Sequence, residues 1–525
     1  MKVAARVPVR VLVILAWMVL AGPGLTPLPG QGRPRAPDPG PAPAASSGLR
    51  RAQEAPGVAL PVVKATLANG MRILILPRPG APIVSFVVRF AVGGIHEHLG
   101  TTGTAHLLEH MLFKGTTTIG TRDHDAERPL FAAMDAVQDT LLLARAARDS
   151  TNILRLPERI RALEDSARAY VVPNEFDRIL TRAGARGLNA TTSNESTHYF
   201  VELPANRLEL WFALEADRMA HPVFREFYTE RDVVMEERRM RIEASPGGFL
   251  YENHLATAFT MHPYGVPVVG YMSDLQNLTR RDVASYYRKF YGAANAVVTL
   301  VGDVDPDAVL ALAKRYFAPL DPGETPPPVL AVEPRQRGER RIRIEWDAEP
   351  QLRMGWHVPD LFHEDAPALA VLTTLLTGGR TSRLHRRLVT GDRLATGVFS
   401  SVEPGSLFPR LFSIDATPRS PHTPADVEAA VYEELERLAR DGPTSAELER
   451  VRNRLRAGSV RRLQSNLGLA FQLSESEALF GDWRRTFRLT ARLAAVTPED
   501  IRRVVRAYFT PENRTVAVLG RGEGS

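Results

Sequence analysis

The 525-residue chain contains no cysteine. Disulfides are excluded, and so are thiolate metal sites and a thiol nucleophile, so a metal here must be held by His, Asp or Glu. Lysine is scarce, five residues against 61 arginines. A basic body is also missing. The formal net charge is +6, but residues 1–56 carry seven Lys or Arg against two acids, which leaves the other 469 residues near +1. With no basic stripe interleaved with aromatics, no nucleic-acid partner is expected. Nor does any apolar run span a bilayer comfortably. Val11–Ala21 is too short for that; it follows Lys2, Arg6 and Arg10 and ends at Gly-Pro-Gly, the pattern of an export signal. Residues 1–24 are therefore read as a signal peptide and 25–56 as a Pro/Gly/Ala-rich linker. The protein is expected to be exported, to the periplasm or beyond, or tethered to the membrane where the segment stays uncleaved.

What is present is an ordinary globular composition, 44% hydrophobic and 24% charged, in a chain too long for one core. From Val62 the pattern is β, with an Asn69-Gly70 hairpin turn and strands over Ile73–Leu76 and Ile83–Val92. A helix is predicted through Ala105–Phe113, helices over 122–182, a strand over Tyr199–Leu203 and a helix with a long charged tail over Arg207–Glu243. Asp321-Pro-Gly-Glu-Thr-Pro-Pro-Pro328 reads as an internal linker. Leu278–Gly302 aligns without gaps to Val496–Gly520 at a constant offset of 218. In each copy a helix feeds an Asn-containing turn and then a buried strand, so two related halves are expected.

The chemistry concentrates in Gly103-Thr-Ala-His-Leu-Leu-Glu-His-Met-Leu-Phe-Lys-Gly115. On a helix, His106 and His110 project from one face a turn apart, which suits two nitrogens on one Zn²⁺, and Glu109 lies beside the second. This is the inverted form of the H-E-x-x-H zinc-protease helix. The apolar neighbours Leu107, Leu108, Met111, Leu112 and Phe113 indicate a buried helix, where unpaired polar groups are costly and a metal relieves that cost. A hydrolytic zinc needs a third protein ligand and one open position. The helix Thr229–Met240 offers Glu230, Glu236 and Glu237. Glu230 and Glu237 share a face with Val233 and Val234, but spacing does not choose between the glutamates.

The chain resembles the pitrilysin/insulinase family of zinc peptidases, the inverzincins, which include the mitochondrial processing peptidase. The resemblance rests on His106-Leu-Leu-Glu-His110, Leu188-Asn-Ala-Thr-Thr-Ser-Asn-Glu-Ser-Thr-His-Tyr199, the Glu230/Glu237 helix, His262-Pro-Tyr-Gly265 and the strand from Asn295 to Asp303. It implies an α+β fold of two homologous halves, each a mostly antiparallel sheet packed with helices. The halves are expected at 57–320 and 330–525, joined by a linker at 321–329. It implies one Zn²⁺ per chain, bound by His106, His110 and Glu237 and supported by Glu230, with Glu109 as general base. It also places Asn189 and Ala190 on an edge strand to which a peptide or unfolded protein segment adds. The activity implied is that of a zinc-dependent endopeptidase.

Two departures stand out. His110 and Glu237 lie 127 residues apart, wider than the family pattern, and the excess reads as a helical insertion at about 116–182. In self-sufficient members an Arg and a Tyr seven residues apart in the second half donate hydrogen bonds to substrate and to the developing oxyanion. Here Val389 and Thr396 occupy those places; Arg386 or Arg387 could substitute in a shifted register, but no Tyr is at hand. The expectation is a homodimer, or a heterodimer with a sister subunit that carries the pair. The alternative is a non-catalytic, peptide-holding subunit of the same fold.

Overall fold

The computed structural model of the chain describes residues 60–521; the expected signal peptide and linker lie outside them. Two sheets organise the molecule. β1 (Val63–Thr66) and β2 (Arg72–Pro77) form the predicted hairpin around Asn69-Gly70, where Gly70 takes φ +85° and the Asn69 side chain accepts from Met71 N–H. β3 (Ile83–Phe90), β4 (Arg186–Thr192), β5 (Thr197–Pro204) and β6 (Ala296–Gly302) complete the first sheet, in the order β1-β2-β6-β3-β5-β4. All seven residues of β6 are buried, which is why this stretch reads as an unbroken apolar run. β7 (Arg340–Glu345), β8 (Gln351–Val358), β9 (Ala395–Glu403), β10 (Arg410–Pro418) and β11 (Arg514–Gly520) form the second sheet, in the order β7-β11-β8-β10-β9.

Each sheet is antiparallel except for one pair, β2–β6 in the first and β7–β11 in the second, so the last five strands of one match the five of the other. The first half carries α1 (Thr104–Met111), α2 (His124–Ala146), α3 (Ser150–Arg168), α4 (Glu175–Arg182), α5 (Leu208–Ala220) and α6 (Phe227–Arg238). It continues with α7 (Pro246–Ala258), α8 (Met272–Asn277), α9 (Arg280–Phe290) and α10 (Pro306–Tyr316). The second half carries α11 (Ala366–Thr377), α12 (Pro424–Asp441), α13 (Ser445–Gln464), α14 (Asn466–Phe480), α15 (Arg485–Ala495) and α16 (Pro498–Tyr508). The repeat seen in the sequence survives at atomic detail. α9 and α16, and β6 and β11, keep the offset of 218. Thr279 with Asp282, and Thr497 with Asp500, form equivalent capping boxes. Asn295 and Asn513 each donate to the carbonyl of the last helical residue, Phe290 and Tyr508.

The halves exchange a helix. α7 packs on β7, β8 and β11, with Leu250 against Ala517 and Leu519. α14 packs on β3 and β6, with Leu469, Ala470 and Leu473 against Leu74, Leu76, Val87, Val297 and Val301. The buried Arg89 on β3 donates through Nε to Glu475 of α14 at 2.6 Å.

Three details differ from the sequence reading. The single helix predicted over Arg207–Glu243 is broken between α5 and α6 at His221-Pro222, where proline has no N–H to continue the ladder and Glu226 takes φ +57°. Within α6, Val234 is fully buried but Val233 is 46% exposed, so the two do not share an environment. The irregular segment that begins at Asp321 runs on to β7. Between Gly115 and Arg182 lie α2, α3 and α4; α2 and α3 form an antiparallel hairpin with Leu156, Ile160 and Leu163 turned inward.

Candidate metal centre

α1 opens at Gly103, whose φ of +88° and close approach to Val269 O (a Cβ would lie 2.7 Å from it) leave no room for a side chain. No capping side chain follows in sequence; Glu97 supplies one, accepting from the N–H groups of Gly103 at 2.8 Å and Ala105 at 2.6 Å. Leu107, Leu108 and Met111 face the core with no exposed surface. That orientation turns His106 and His110 the other way, toward α6.

α6 brings Glu230 and Glu237 to them. His106 Nε2 and His110 Nε2 lie 3.7 Å and 3.5 Å from the same atom, Glu237 Oε2. Ligands arranged tetrahedrally at about 2.0–2.2 Å from one zinc are roughly 3.3–3.6 Å apart, so each imidazole lies close to the spacing from the carboxylate that one shared ion would require, and the three ligand atoms all fall within 4.8 Å of one another. His110 Nδ1 meets Glu230 Oε1 at 2.9 Å, which holds a proton on Nδ1 and turns Nε2 toward Glu237. Glu230 is fixed by Lys114 Nζ at 2.5 Å, and Glu237 Oε1 by the Arg241 guanidinium, also at 2.5 Å. Arg241 reaches it from a π-helical turn, Arg239–Glu243, that ends α6.

The electrostatics agree with a cation site. Burial, with His110 nearby, pushes the His106 imidazole down to about 4, so it is neutral with a lone pair to offer. Burial would also lower His110, but Glu230 and Glu237 outweigh it and hold its proton up to about 9. Burial pushes Glu237 up, and His110, His106 and Arg241 bring it down to about 2. A proton on His110 thus balances the carboxylates around it, and a divalent cation held there would take that proton's place. The donor set, two imidazoles and one carboxylate without thiolate, fits Zn²⁺ with one position left open. Among the described residues, His106, His110 and Glu237 are the group that converges in this way.

Glu109 stands outside the ligand group. Its Oε2 accepts from Thr192 Oγ1 at 2.5 Å, and burial raises its carboxyl above the usual range despite that bond. Thr192 ends β4, an edge strand paired only with β5 among the described residues. Asn189 on β4 is exposed and Ala190 buried, opposite Phe200 and Tyr199. Asn189 and Ala190 therefore lie on the open edge whose end contacts Glu109.

Val389 is half-buried against the second core, and Thr396, exposed on β9, donates to Thr417 O at 3.3 Å. Arg387 is committed to Glu433 and Asp392. Sequence reasoning did not find Thr192, Lys114, Glu97 or Arg241. Arg241 lies one helical turn after Glu237, a signal that singles out nothing without the π-turn.

A family model described as Insulinase (Peptidase family M16) matches residues 72–127 and 166–271, and one described as Peptidase M16 inactive domain matches 277–455. The gap between residues 127 and 166 falls on α2 and α3. Zinc protease PqqE of Helicobacter pylori is 29% identical over 475 residues, covering 86% of this chain and 91% of that protein. The probable mitochondrial-processing peptidase subunit beta of Arabidopsis thaliana is 24% identical over 470 residues, 87% of this chain and 77% of that one. The crystal structure of a protease from Helicobacter pylori aligns with a TM-score of 0.74 and 27% identity over 88% of this chain and all of that one. The chain belongs to the pitrilysin/insulinase family of metallopeptidases, M16.

Proposed function

We propose that the protein is a zinc-dependent endopeptidase that hydrolyses peptides or unfolded protein segments after export. The observation that carries this reading is the convergence of His106, His110 and Glu237, with Glu109 held beside them at the end of an open strand edge. His106, His110 and Glu237 would hold a Zn²⁺, which would supply Lewis acidity to activate water and polarise the scissile carbonyl. The chain's own residues do the rest. Asn189 and Ala190 offer main-chain groups to an extended peptide, which adds to β4 as a further strand. Glu109, its carboxyl raised by burial and held by Thr192, takes a proton from the attacking water and returns it to the leaving amine. Thr192 fixes the carboxylate from the strand side, and Glu230 fixes the tautomer of His110.

The test is cleavage of an unstructured quenched-fluorophore peptide by residues 57–525 supplied with zinc. Glu109→Gln is expected to retain the metal and lose at least about 10²-fold in turnover. A Glu109→Gln protein that cleaves as well as the parent would refute the assignment. A second reading, a peptide-holding subunit without chemistry of its own, is favoured by Val389 and Thr396 standing where an Arg and a Tyr would serve the oxyanion.

A further inference from the structure

Two sequence motifs are not used by the metal centre: the turn Ser193-Asn-Glu-Ser196 and His262-Pro-Tyr-Gly265. In the structure they meet. Glu195 is 6% exposed, and its Oε1 accepts from three donors: the Tyr264 hydroxyl, Ser406 N–H at 2.8 Å and Leu407 N–H at 2.7 Å. Ser406 and Leu407 follow β9 and so belong to the second half. The contact leaves no slack. Gly405, at φ +63°, would place a Cβ 2.2 Å from the Tyr264 hydroxyl and 2.5 Å from Glu195 Oε1, and Arg410 Nη1 holds the Gly405 carbonyl at 2.8 Å. Tyr264 is fully buried, and His262 packs against Phe408 in a tilted arrangement with ring centroids 4.7 Å apart.

On its other side the same turn is bonded to the segment that leads into α1. Gly94 N–H donates to Ser193 O at 3.1 Å and Ile95 N–H to Asn194 O at 2.9 Å. Gly93 passes so close that a Cβ there would lie 2.1 Å from Ser193 O. Two residues beyond Ile95, Glu97 caps α1, and immediately before the turn Thr192 holds Glu109. The turn therefore ties together the substrate edge, the lead-in to the ligand helix and a loop of the half that lacks the Arg and Tyr.

We propose that Glu195 is a positioning residue, the latch through which the second half sets the placement of β4 and, by way of Thr192, of Glu109. A buried carboxylate that satisfies two backbone N–H groups and a phenol cannot be removed without orphaning all three, so the loop and the hairpin are expected to part when it is lost. The proposal gives the second half a part in catalysis that does not depend on donors of its own. Its catalytic consequence rests on the peptidase reading; the latch itself does not.

The experiment compares the full zinc-supplied protein with Glu195→Gln, Glu195→Ala and Gly405→Ala, the last attacking the contact from the opposite half. Amide hydrogen exchange over residues 186–192 is expected to be at least about tenfold faster in Glu195→Ala and Gly405→Ala and intermediate in Glu195→Gln, with β2 unchanged. In the same variants, kcat/KM for an unstructured peptide is expected to fall about tenfold or more while the zinc content stays constant. Unchanged exchange at 186–192, or acceleration that spreads equally to β2, would overturn the latch. Loosened exchange with kcat/KM intact would overturn the positioning role. A parent protein that cleaves nothing would count against the peptidase reading, and the exchange data would still decide the latch.

Discussion

Glu237 answers to two neighbours. One carboxylate oxygen faces both imidazoles, and the other is held by Arg241. An unrestrained carboxylate would rotate, so Arg241 selects the orientation in which Oε2 is presented. Arg241→Met is expected to weaken zinc binding about 10–100-fold, read by competition with a chromogenic chelator, with the melting temperature of the metal-free protein little changed. Affinity equal to the parent's would remove Arg241 from the site. Residue by residue, the site was legible to the extent that it is local. His106, Glu109 and His110 sit on one helical face, and that periodicity is written in the sequence. Glu237, 127 positions away, came only from the family resemblance. Thr192 acts through a contact that no local pattern encodes, a strand end reaching a helix, whereas Arg241 pairs with Glu237 at the i,i+4 spacing shared by many surface ion pairs, so the spacing alone does not single it out.

α6, which carries both glutamates, begins at Glu226 with no side-chain cap of its own. Glu164, on the second helix of the α2–α3 hairpin, fills that role by accepting from Thr229 N–H at 3.1 Å. The hairpin is fastened close by, through the buried Arg225–Glu127 pair at 3.1 Å and by Arg280 with Asp135. The hairpin is thereby bonded to the start of the helix that carries Glu230 and Glu237. Glu164→Ala is expected to cost about 0.5–2 kcal/mol, as lost N-caps do. Calorimetry would measure it, and zinc affinity should fall in the same variant because the start of α6 frays one residue before Glu230. A loss of stability without any loss of affinity would make the hairpin a surface addition only. At this scale the sequence was a good guide where an element is amphipathic or uniformly apolar, as with α1, β3 and β6. It failed where two helices run on with similar composition, since only Pro222 marks the break between α5 and α6. It was also silent about α14, which is buried against two layers and shows no single apolar stripe, so nothing in its pattern announces that it covers the opposite half's sheet.

For the whole molecule, the exchanged helices interlock the two halves, each half's helix covering the other's sheet. One buried polar tie between them is Glu475 of α14 with Arg89 and His198. Burial pushes the Glu475 carboxyl up, but Arg89 and His198 outweigh it and hold it well below the usual carboxylate range. A lowered carboxylate contributes stability that is fully present above its unfolded pKa, about 4.3, and is lost as pH falls below that value. Glu475→Gln should accordingly be less stable than the parent at pH 7, by about 3–5 kcal/mol for a broken buried pair, with the difference in melting temperature shrinking below about pH 4. A difference that stays constant from pH 7 to pH 3 would mean that the pair does not titrate as its environment requires. The same interdigitation bears on activity, because the second half is built into the molecule yet carries Val389 and Thr396 at the positions where the family resemblance expects oxyanion donors. Removing one such donor from an enzyme costs about 10²–10³-fold in kcat. The purified chain with zinc should therefore turn over slowly. Addition of a sister subunit carrying the Arg and Tyr, or the double change Val389→Arg with Thr396→Tyr, should raise kcat by about that factor while leaving zinc affinity where it was. Rapid, Glu109-dependent cleavage by the unmodified chain alone would show that the donors come from elsewhere within it, and the sister subunit would then be unnecessary.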